Sequence, residues 1–405
     1  MSERADTRLT GPERARIHRL GGSLTDIGTR RLAVGGPGER DAAVRSHRRA
    51  IELLGRLPLD EDADYLADLG AAWVNLGFAL QGGETRESLA EALDALDRGL
   101  DVLGRLPLES NPRFRHNLAA AWMNRADVLV RVDTPSSRLG AIRAYTTAIG
   151  IAGGLPLDEK ASFRVLLASC WINLGGLYQR LGDGRGAVLA YERSLDSIGD
   201  LPRSGHRLAR HHAATAWTNR GESLLAAPGL AGRREAVESA RRALAEADRG
   251  GLEESVAAKL SLRALRVAAV ALESLAGAGG SGAARWIGEL TDLADRGFAV
   301  ALAARGRDAL FFDPFVVWFF SLGGRVYGRY QPQFLAEFLA EGIRRSGAAR
   351  ADALAADLAA AAREATDAAL VRLGRRRLLV AGSPQTELLI TTVGELRRAA
   401  RELNP

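Results

Sequence analysis

The sequence predicts an all-α fold built from stacked antiparallel helix pairs. Three observations predict it. The composition is dominated by alanine, leucine and arginine, which favour helix over strand. Two short strings return in step along the first half of the chain, and small residues recur between them at helical spacing. Because one such pair cannot bury its apolar faces alone, its stability is expected to come from stacking on its neighbours.

The first repeated string contains a proline. LLGRLPLD, which begins at Leu53, returns 49 residues later as VLGRLPLE, and shorter copies follow. Its prolines are spaced by 49, 49 and 46 residues and are Pro58, Pro107, Pro156 and Pro202. Proline disrupts the interior of a helix, so we expect it to end the second helix of each pair. The acid that follows is expected near the first turn of the next helix, where the helix dipole favours it.

The second repeated string contains a tryptophan followed two residues later by an asparagine. Its copies are AAWVNLG, AAWMNRA, SCWINLG and TAWTNRG. The tryptophans have the same spacing as the prolines and are Trp73, Trp122, Trp171 and Trp217. Two independent markers in one register indicate a structural repeat of about 49 residues.

The third marker is a small residue, a larger one four residues later and a small one three residues after that. Its copies are Ala43/His47/Ala50, Ala92/Leu96/Gly99, Ala141/Tyr145/Ala148, Ala187/Tyr191/Ser194 and Ala236/Ala240/Ala243. Offsets of three and four lie on one face of a helix. We predict that this face packs on the first helix of the pair, which carries the tryptophan and a small residue. Those small residues are Gly77, Ala126, Gly175 and Gly221.

These motifs resemble the tetratricopeptide repeat, whose signature is W-x2-L-G-x2-Y, then A-x3-F, then P. Trp171, Leu174, Gly175 and Tyr178 match its first part, and the resemblance covers roughly residues 10–250. It implies a right-handed superhelical α-solenoid that binds peptides or proteins in a concave groove. The family repeat has 34 residues, so the 49-residue repeat departs from it in length. The extra residues precede the tryptophan and predict a first helix lengthened by roughly two to three turns.

We predict four regions along the chain. They are a flexible N-terminus at 1–9, helical repeats at 10–250, diverged helical repeats at 251–345 and a C-terminal helical cap at 346–405. Further helices are expected at 252–275, 283–304, 333–345 and 349–373, followed by a short extended piece after Arg375 and a helix at about 385–403. The aromatic residues of 311–338 are expected to form the core of a capping subdomain. The alternative is an exposed patch that binds a partner.

The candidate binding residues are the row that follows the tryptophans: Asn75, Asn124, Asn173 and Asn219, with Asp26 at the same place in the first unit. The tryptophan is expected to point into the core of the helix pair. Two residues correspond to about 200° around a helix, so the asparagine then points away from that core. In the proteins that this chain resembles, such asparagines line the groove and hold a peptide backbone. An amide suits this role because it both donates and accepts hydrogen bonds. The alternative is that each asparagine bonds a neighbouring helix of its own chain.

The charge pattern gives a second, less favoured function. The chain has 55 basic and 49 acidic residues, a net charge of +6, and its only lysines are Lys160 and Lys259. Most arginines alternate with acids, which is typical of a solvated surface. Arginines also form clusters, at 203–210, 344–345 and 372–377. Such clusters could contact phosphates, so the alternative function is an adaptor in a nucleic-acid-associated or regulatory complex.

We predict no catalytic site, metal or cofactor. The least favoured alternative is an enzyme in the aromatic C-terminal region, for which the sequence shows no motif. The histidines lack metal-ligand spacing, and Cys170 takes the small-residue position before a repeat tryptophan. The glycines of 182–186 lack the lysine of a phosphate-binding loop and are expected to form a turn. A single cysteine and no apolar leader favour a cytoplasmic location. The apolar stretch 310–322 is expected to be interrupted at Asp313-Pro314 and to be too short for a membrane span. The leading prediction is a scaffold that binds another protein or an extended peptide.

Overall fold

The computed structural model describes residues 9–83, 85–201, 205–280, 282–346 and 353–375. Within these ranges the chain forms α-helices and two short 3-10 segments, and it has no β-strand, so the predicted all-α fold is confirmed. The helices belong to two compact units, Met1–Leu201 and Pro202–Pro405. This division lies between residues 201 and 202, whereas a boundary was expected near residue 250. The four regions expected from the sequence stay predictions.

The first unit contains four consecutive helix pairs. Its helices are α1 (Gly11–Val34), α2 (Pro37–Leu54), α3 (Ala63–Gln81), α4 (Arg86–Gly104), α5 (Pro112–Val132), α6 (Pro135–Gly153), α7 (Ala161–Arg180) and α8 (Gly184–Ile198). We call the odd-numbered helices A and the even-numbered helices B. Helices α3, α5 and α7 begin at residues 63, 112 and 161. Each A helix contacts its own B helix, and α1, α3 and α5 also contact the A helix of the next pair.

Each pair is held by a small residue on helix A that faces a large side chain on helix B. A Cβ atom added to Gly77 would lie 2.5 Å from Cγ of Leu96, and one added to Gly70 would lie 2.6 Å from Cγ of Leu103. Since residue numbers rise along α3 as they fall along α4, the two helices are antiparallel. The same arrangement sets Gly28 against His47. The large residues of the third sequence marker therefore fill the positions predicted for them.

The prolines do not end the B helices, which is a correction to the sequence analysis. Helix α2 ends at Leu54, four residues before Pro58, and α4 ends three residues before Pro107. The chain leaves the helix early, and the leucine before each of the first three prolines turns into the core. Leu57 is 4% exposed and Leu106 is also 4% exposed.

The acid after the proline also lies outside the next helix. Asp60 precedes Ala63, the first residue of α3, by three positions. Its Oδ1 atom instead pairs with Nη2 of Arg105, at 2.6 Å, in the next copy of the string. The helix is capped by Asp62, whose side chain accepts a hydrogen bond from the backbone of Asp64. Asp60 thus joins its own loop to the next one.

The tryptophans lie at the boundaries between helix pairs. The sequence analysis had placed them in the core of a pair, so this is a correction. Trp73 is only partly buried and packs against the apolar clusters of both the first and the second pair. The guanidinium group of Arg98 lies 5.2 Å from its ring centroid. Ala72 and Ala121, the small residues before Trp73 and Trp122, are fully buried instead. An indole is too large for the close approach of helices A and B, and alanine permits it.

The second unit begins with regular pairs and ends in an aromatic core. Its helices are α9 (Arg207–Ala226), α10 (Leu230–Asp248), α11 (Glu254–Ala278), α12 (Ala283–Ala304), α13 (Ala309–Tyr330), α14 (Leu335–Arg345) and α15 (Ala353–Arg375), with 3-10 segments at Arg305–Arg307 and Pro332–Phe334. The helices predicted at 252–275 and 283–304 correspond to α11 and α12. Gly221 faces Val267 of α11 because its own B helix offers only the short Ala240. The regular register therefore begins to change here.

The aromatic residues of α13 form a buried core, as the sequence analysis favoured. Phe312, Phe319 and Phe320 are fully buried. The rings of Phe319 and Phe320 pack against glycines of α12 and α14. Helix α13 runs through Pro314, so the predicted interruption of the apolar stretch is wrong. Because Pro314 stands near the start of the helix, it removes only the hydrogen bond to residue 310, which is exposed. Among the described helices, α13 alone is long and apolar enough to cross a membrane, a test that buried core helices also pass.

Two predicted segments at the ends of the chain lie wholly or mostly outside the described residues. The expected flexible terminus at 1–9 overlaps them only at its last residue. The extended piece after Arg375 and the helix at 385–403 fall entirely outside them.

Candidate functional site

The asparagine row lies on the side of the first unit where neighbouring A helices face each other. Asn75, Asn124 and Asn173 occupy the same register on α3, α5 and α7, and all three are half-buried. Asp26 holds this register on α1 and is exposed. Asn219 belongs to α9 of the second unit, so the first unit contains three asparagines and one aspartate of the predicted row.

Asn173 is bonded to a neighbouring helix. Its Nδ2 atom donates to Oδ1 of Asp127 on α5 at 3.0 Å, and the hydroxyl of Tyr145 on α6 donates to the same oxygen at 2.5 Å. Burial raises the pKa of Asp127 to about 6, against the two hydrogen bonds, which lower it. Burial and the adjacent Asp127 also raise the pKa of Tyr145. This network ties three helices together, so Asn173 has the structural role that the sequence analysis left open as the alternative.

Asn219 is also bonded within the chain. Its Oδ1 atom accepts a hydrogen bond from Nη2 of Arg263 on α11 at 2.7 Å. The same guanidinium group bonds both carboxylate oxygens of Glu222, one turn along α9, at 3.0 and 3.1 Å. The amide and the carboxylate together hold α9 against α11. Asn219 therefore joins two A-type helices, as Asn173 does.

Asn75 and Asn124 differ from the other two asparagines. Within the described part of the chain, neither side-chain amide makes a hydrogen bond. Both remain partly open to solvent, and Phe78, one turn after Asn75, has 46% of its surface exposed. An exposed aromatic ring beside two unoccupied amides can contact an apolar side chain while the amides bond a peptide backbone. The candidate site is therefore this surface of α3 and α5, which we call the A-helix face.

Asp127 is a structural residue of this surface that the sequence analysis did not identify, and it decides that Asn173 is bonded within the chain. The position three residues after each asparagine differs between repeats, with Phe78, Asp127, Gly176 and Glu222, so the repeat pattern did not single out the acid. A usable signal was Tyr145, which stands in the large-residue position of α6 where α4 has Leu96. A buried tyrosine hydroxyl needs a hydrogen-bond partner, and an acid on the facing helix can supply it.

The other sequence candidates are structural. Cys170 is a fully buried free thiol, as predicted, and burial raises its pKa to about 12. Gly182 has a φ of +81° in the turn between α7 and α8, where a residue without a Cβ atom is favoured. In the same turn, Asp183 caps α8 by accepting a hydrogen bond from the backbone of Gly186 at 2.8 Å. The predicted turn is therefore present.

Two described arginines of the clusters are engaged within the chain. Arg210 is buried and donates to the carbonyl of Gly250. Arg344 pairs with Glu341 on its own helix at 2.5 Å. The arginines at 203, 376 and 377 lie outside the described residues. Over the residues that the structure covers, no group of histidine, cysteine, aspartate or glutamate side chains has the arrangement of a metal site.

Comparisons with known proteins give only structural likeness. No protein-family model matches the chain, and no curated protein matches it. The solved structure of BtubC (BKLC) from P. vanneervenii covers 66% of this chain and 92% of its own, with 16% identity and a TM-score of 0.49. A Rap protein complexed with Competence and Sporulation Factor covers 97% and 98%, with 12% identity and a TM-score of 0.41. The S. pombe nuclear import adaptor Nro1 covers 97% and 99%, with 14% identity and a TM-score of 0.35. Likeness at this level does not show that the proteins share a function with this chain.

Proposed function

We propose that this chain is a protein-interaction scaffold that binds an extended segment of another protein along the A-helix face of its first unit. The observation that carries the proposal is the pair Asn75 and Asn124. These two amides occupy one register on neighbouring helices, are partly exposed and have no hydrogen-bond partner among the described residues. In the same proposal the repeats are tetratricopeptide repeats lengthened to 49 residues, supported by A helices that begin at residues 63, 112 and 161.

The contacts divide the predicted asparagine ladder into two groups. Asn173 and Asn219 hold neighbouring helices, whereas Asn75, Asn124 and the exposed Asp26 are free to meet a ligand. Two amide hydrogen bonds with a peptide backbone contribute about 1–3 kcal/mol in all. That is weaker than millimolar binding, so side-chain contacts must supply most of the affinity. Phe78 is the described aromatic residue best placed to supply one.

A peptide selection tests the proposal. Random peptides displayed on phage are selected on the wild-type protein and then measured against the double variant Asn75→Ala with Asn124→Ala. We expect binding to weaken at least tenfold while the melting temperature stays within about 2 °C, because these amides bond nothing in the chain. The matched control is Asn173→Ala, which should lower thermal stability because it removes a partner of Asp127. Unchanged binding by the double variant would contradict the proposal.

The alternative is an adaptor that meets nucleic acid through the arginine clusters. Binding of that kind weakens steeply as salt concentration rises, because phosphate contacts release counterions. The buried Arg210 and the paired Arg344 weigh against it. A scaffold without catalytic activity and with a cytoplasmic location remains part of the proposal, and both of these features rest on the sequence alone.

A further inference from the structure

A cavity of about 460 Å³ lies beside the aromatic core of the second unit. Helices α12, α13 and α14 and the segment between the last two form its wall. Its aromatic lining includes Tyr327, Phe334 and Phe338, and its acidic lining includes Asp295, Glu337 and Glu341. The A-helix face belongs to the first unit, so this cavity is a separate feature.

The aromatic wall is packed against buried rings on one side and open to solvent on the other. The rings of Tyr327 and Phe338 stack with their centroids 4.8 Å apart, and Phe338 stacks in turn on the buried Phe320 at 5.5 Å. Phe334 has 48% of its surface exposed. The face of an aromatic ring attracts a cation through the ring quadrupole. The wall therefore combines stacked rings with one ring that is accessible from solvent.

The charges that line the cavity are mainly negative. Three carboxyl groups face it together with one basic group, that of Arg345. The carboxylate of Glu341 pairs with Arg344, and Oδ2 of Asp295 accepts a hydrogen bond from the Tyr327 hydroxyl at 3.1 Å. Burial is the main cause that raises the pKa values of Asp295 and Tyr327, and neighbouring carboxylates also raise both. The hydrogen bond from Tyr327 and the charge of Arg345 lower the pKa of Asp295 and so oppose part of this effect. A cation entering the cavity would offset this excess of negative charge.

The same unit already holds one cation with this combination of groups. Nζ of Lys259 lies 4.6 Å from the ring centroid of Phe311 and 3.0 Å from Oδ2 of Asp308. A phenyl ring and a carboxylate thus hold a partly exposed ammonium group. The cavity repeats this chemistry with more rings and more carboxylates, and its surface remains accessible.

We propose that this cavity binds the lysine or arginine side chain of a protein partner. The aliphatic stem of that side chain packs on Phe334 and Phe338, and its cationic head lies between the Tyr327 ring and the carboxylates of Asp295 and Glu337. The site is a second contact of the scaffold, and it does not depend on peptide binding at the A-helix face of the first unit.

A titration of the full chain with defined peptides tests the site. The probe is a blocked pentapeptide with one central arginine between alanines, followed by saturation-transfer NMR. Its control peptide carries citrulline, which has nearly the shape of arginine without the charge. We expect the arginine peptide to bind with a dissociation constant on the order of millimolar and the citrulline peptide to bind at least tenfold more weakly. Equal binding of the two peptides would overturn the proposal.

Variants locate the binding. Asp295→Asn and Glu337→Gln should each weaken binding of the arginine peptide about tenfold, and Phe334→Ala should weaken it severalfold. Phe334 is half exposed, so its truncation should leave the fold intact, which circular dichroism checks. Asp357→Asn is the matched control, because it removes one exposed carboxylate of α15 that is not among those lining the cavity. An equal loss in that control would show general charge attraction and contradict the site. Binding of free spermidine without binding of the peptide would contradict a protein partner.

Discussion

The first unit and the aromatic end of the second unit use one packing device in two ways. Both place a glycine of one helix opposite a large side chain of another. In the first unit the opposing pairs follow one register, and they are Gly28/His47, Gly77/Leu96 and Gly175/Tyr191. In the second unit they follow no repeat, and they are Gly297/Phe319, Gly323/Phe338 and Gly342/Phe320.

The difference lies in how far each contact depends on its neighbours. In the first unit the large residue changes from histidine to leucine to tyrosine, and each one fills a position within its own pair. In the second unit the rings contact one another. Phe320 lies 5.7 Å from Phe298 and 5.5 Å from Phe338, measured between ring centroids. A substitution in the aromatic core should therefore affect three helices, whereas one in the first unit should affect mainly one pair.

Truncation of a core ring should have the largest effect. Phe320→Ala removes a fully buried ring that contacts Phe298, Phe338 and Gly342, and we expect it to lower the free energy of unfolding of the second unit by about 3–5 kcal/mol. Leu96→Ala is the counterpart in the first unit, with an expected loss of about 2–4 kcal/mol. Urea unfolding followed by amide hydrogen exchange in each unit measures both. A smaller loss for Phe320→Ala than for Leu96→Ala would contradict the comparison.

Acid should weaken the first unit through His47. Its side chain is fully buried against Gly28, and neither ring nitrogen has a hydrogen-bond partner. Burial lowers its pKa from 6.5 to about 4. Between these values the unfolded chain holds a proton that the folded chain lacks, so stability falls as pH falls from 6.5 towards 4. The full loss from this group is about 3 kcal/mol.

The variant His47→Leu isolates this contribution because it reproduces the Leu96/Gly77 pair of the next repeat. Other groups also titrate in acid, among them His116, whose pKa is lowered chiefly by burial. The useful quantity is therefore the difference between the unfolding free energies of wild type and variant at each pH. We expect the advantage of the variant to grow as pH falls from 6.5 to about 4. Parallel pH profiles would rule out His47 as the cause.

The repeated part of the fold could be predicted because each position recurs. Copies of the same string showed which residues share a register, and the packing of His47 and the burial of Cys170 followed from comparing copies. The predicted position of Trp73 in the core of a pair was wrong. A repeat pattern shows only that a residue recurs, and both the core of a pair and the boundary between two pairs recur once in every repeat. Pro314 was taken for a break because its effect depends on how far it lies from the start of α13, a boundary that no repeat marked.

The candidate site was predicted in register but not in role. The sequence placed the asparagines on one face, but their roles depend on residues of other helices. Asn173 meets Asp127 across 46 positions, and Asn219 meets Arg263 across 44. Helix α3 has Phe78 at the position that corresponds to Asp127 on α5. Asn124 therefore has no acid on the preceding A helix to bond, whereas Asn173 has Asp127. The difference between a free and a bonded amide therefore came from long-range contacts that the spacing alone did not specify.

The smallest expected change in stability concerns Ser197 of the first unit, where the residue type departs from the repeat. Ten residues after the alanine that begins the third marker, α4 has Val102 and α6 has Ile151, and both pack on neighbouring apolar clusters. Helix α8 has Ser197 there, beside an open groove of about 660 Å³ that Trp171 also lines.

Ser197→Val should restore the apolar contact that the first repeats make at this position. We expect the free energy of unfolding of the first unit to rise by at most about 1 kcal/mol, since the added methyl groups bury a few tens of Å² of apolar surface. Serine and valine have similar helix propensities, so the gain should come from packing. Ser274→Val is the matched control, because Ser274 is exposed and makes the same hydrogen bond to the carbonyl four residues earlier. The stability gained by Ser197→Val should exceed the change caused by Ser274→Val. If it does not, position 197 does not lack the apolar contact that Val102 and Ile151 make in the earlier repeats.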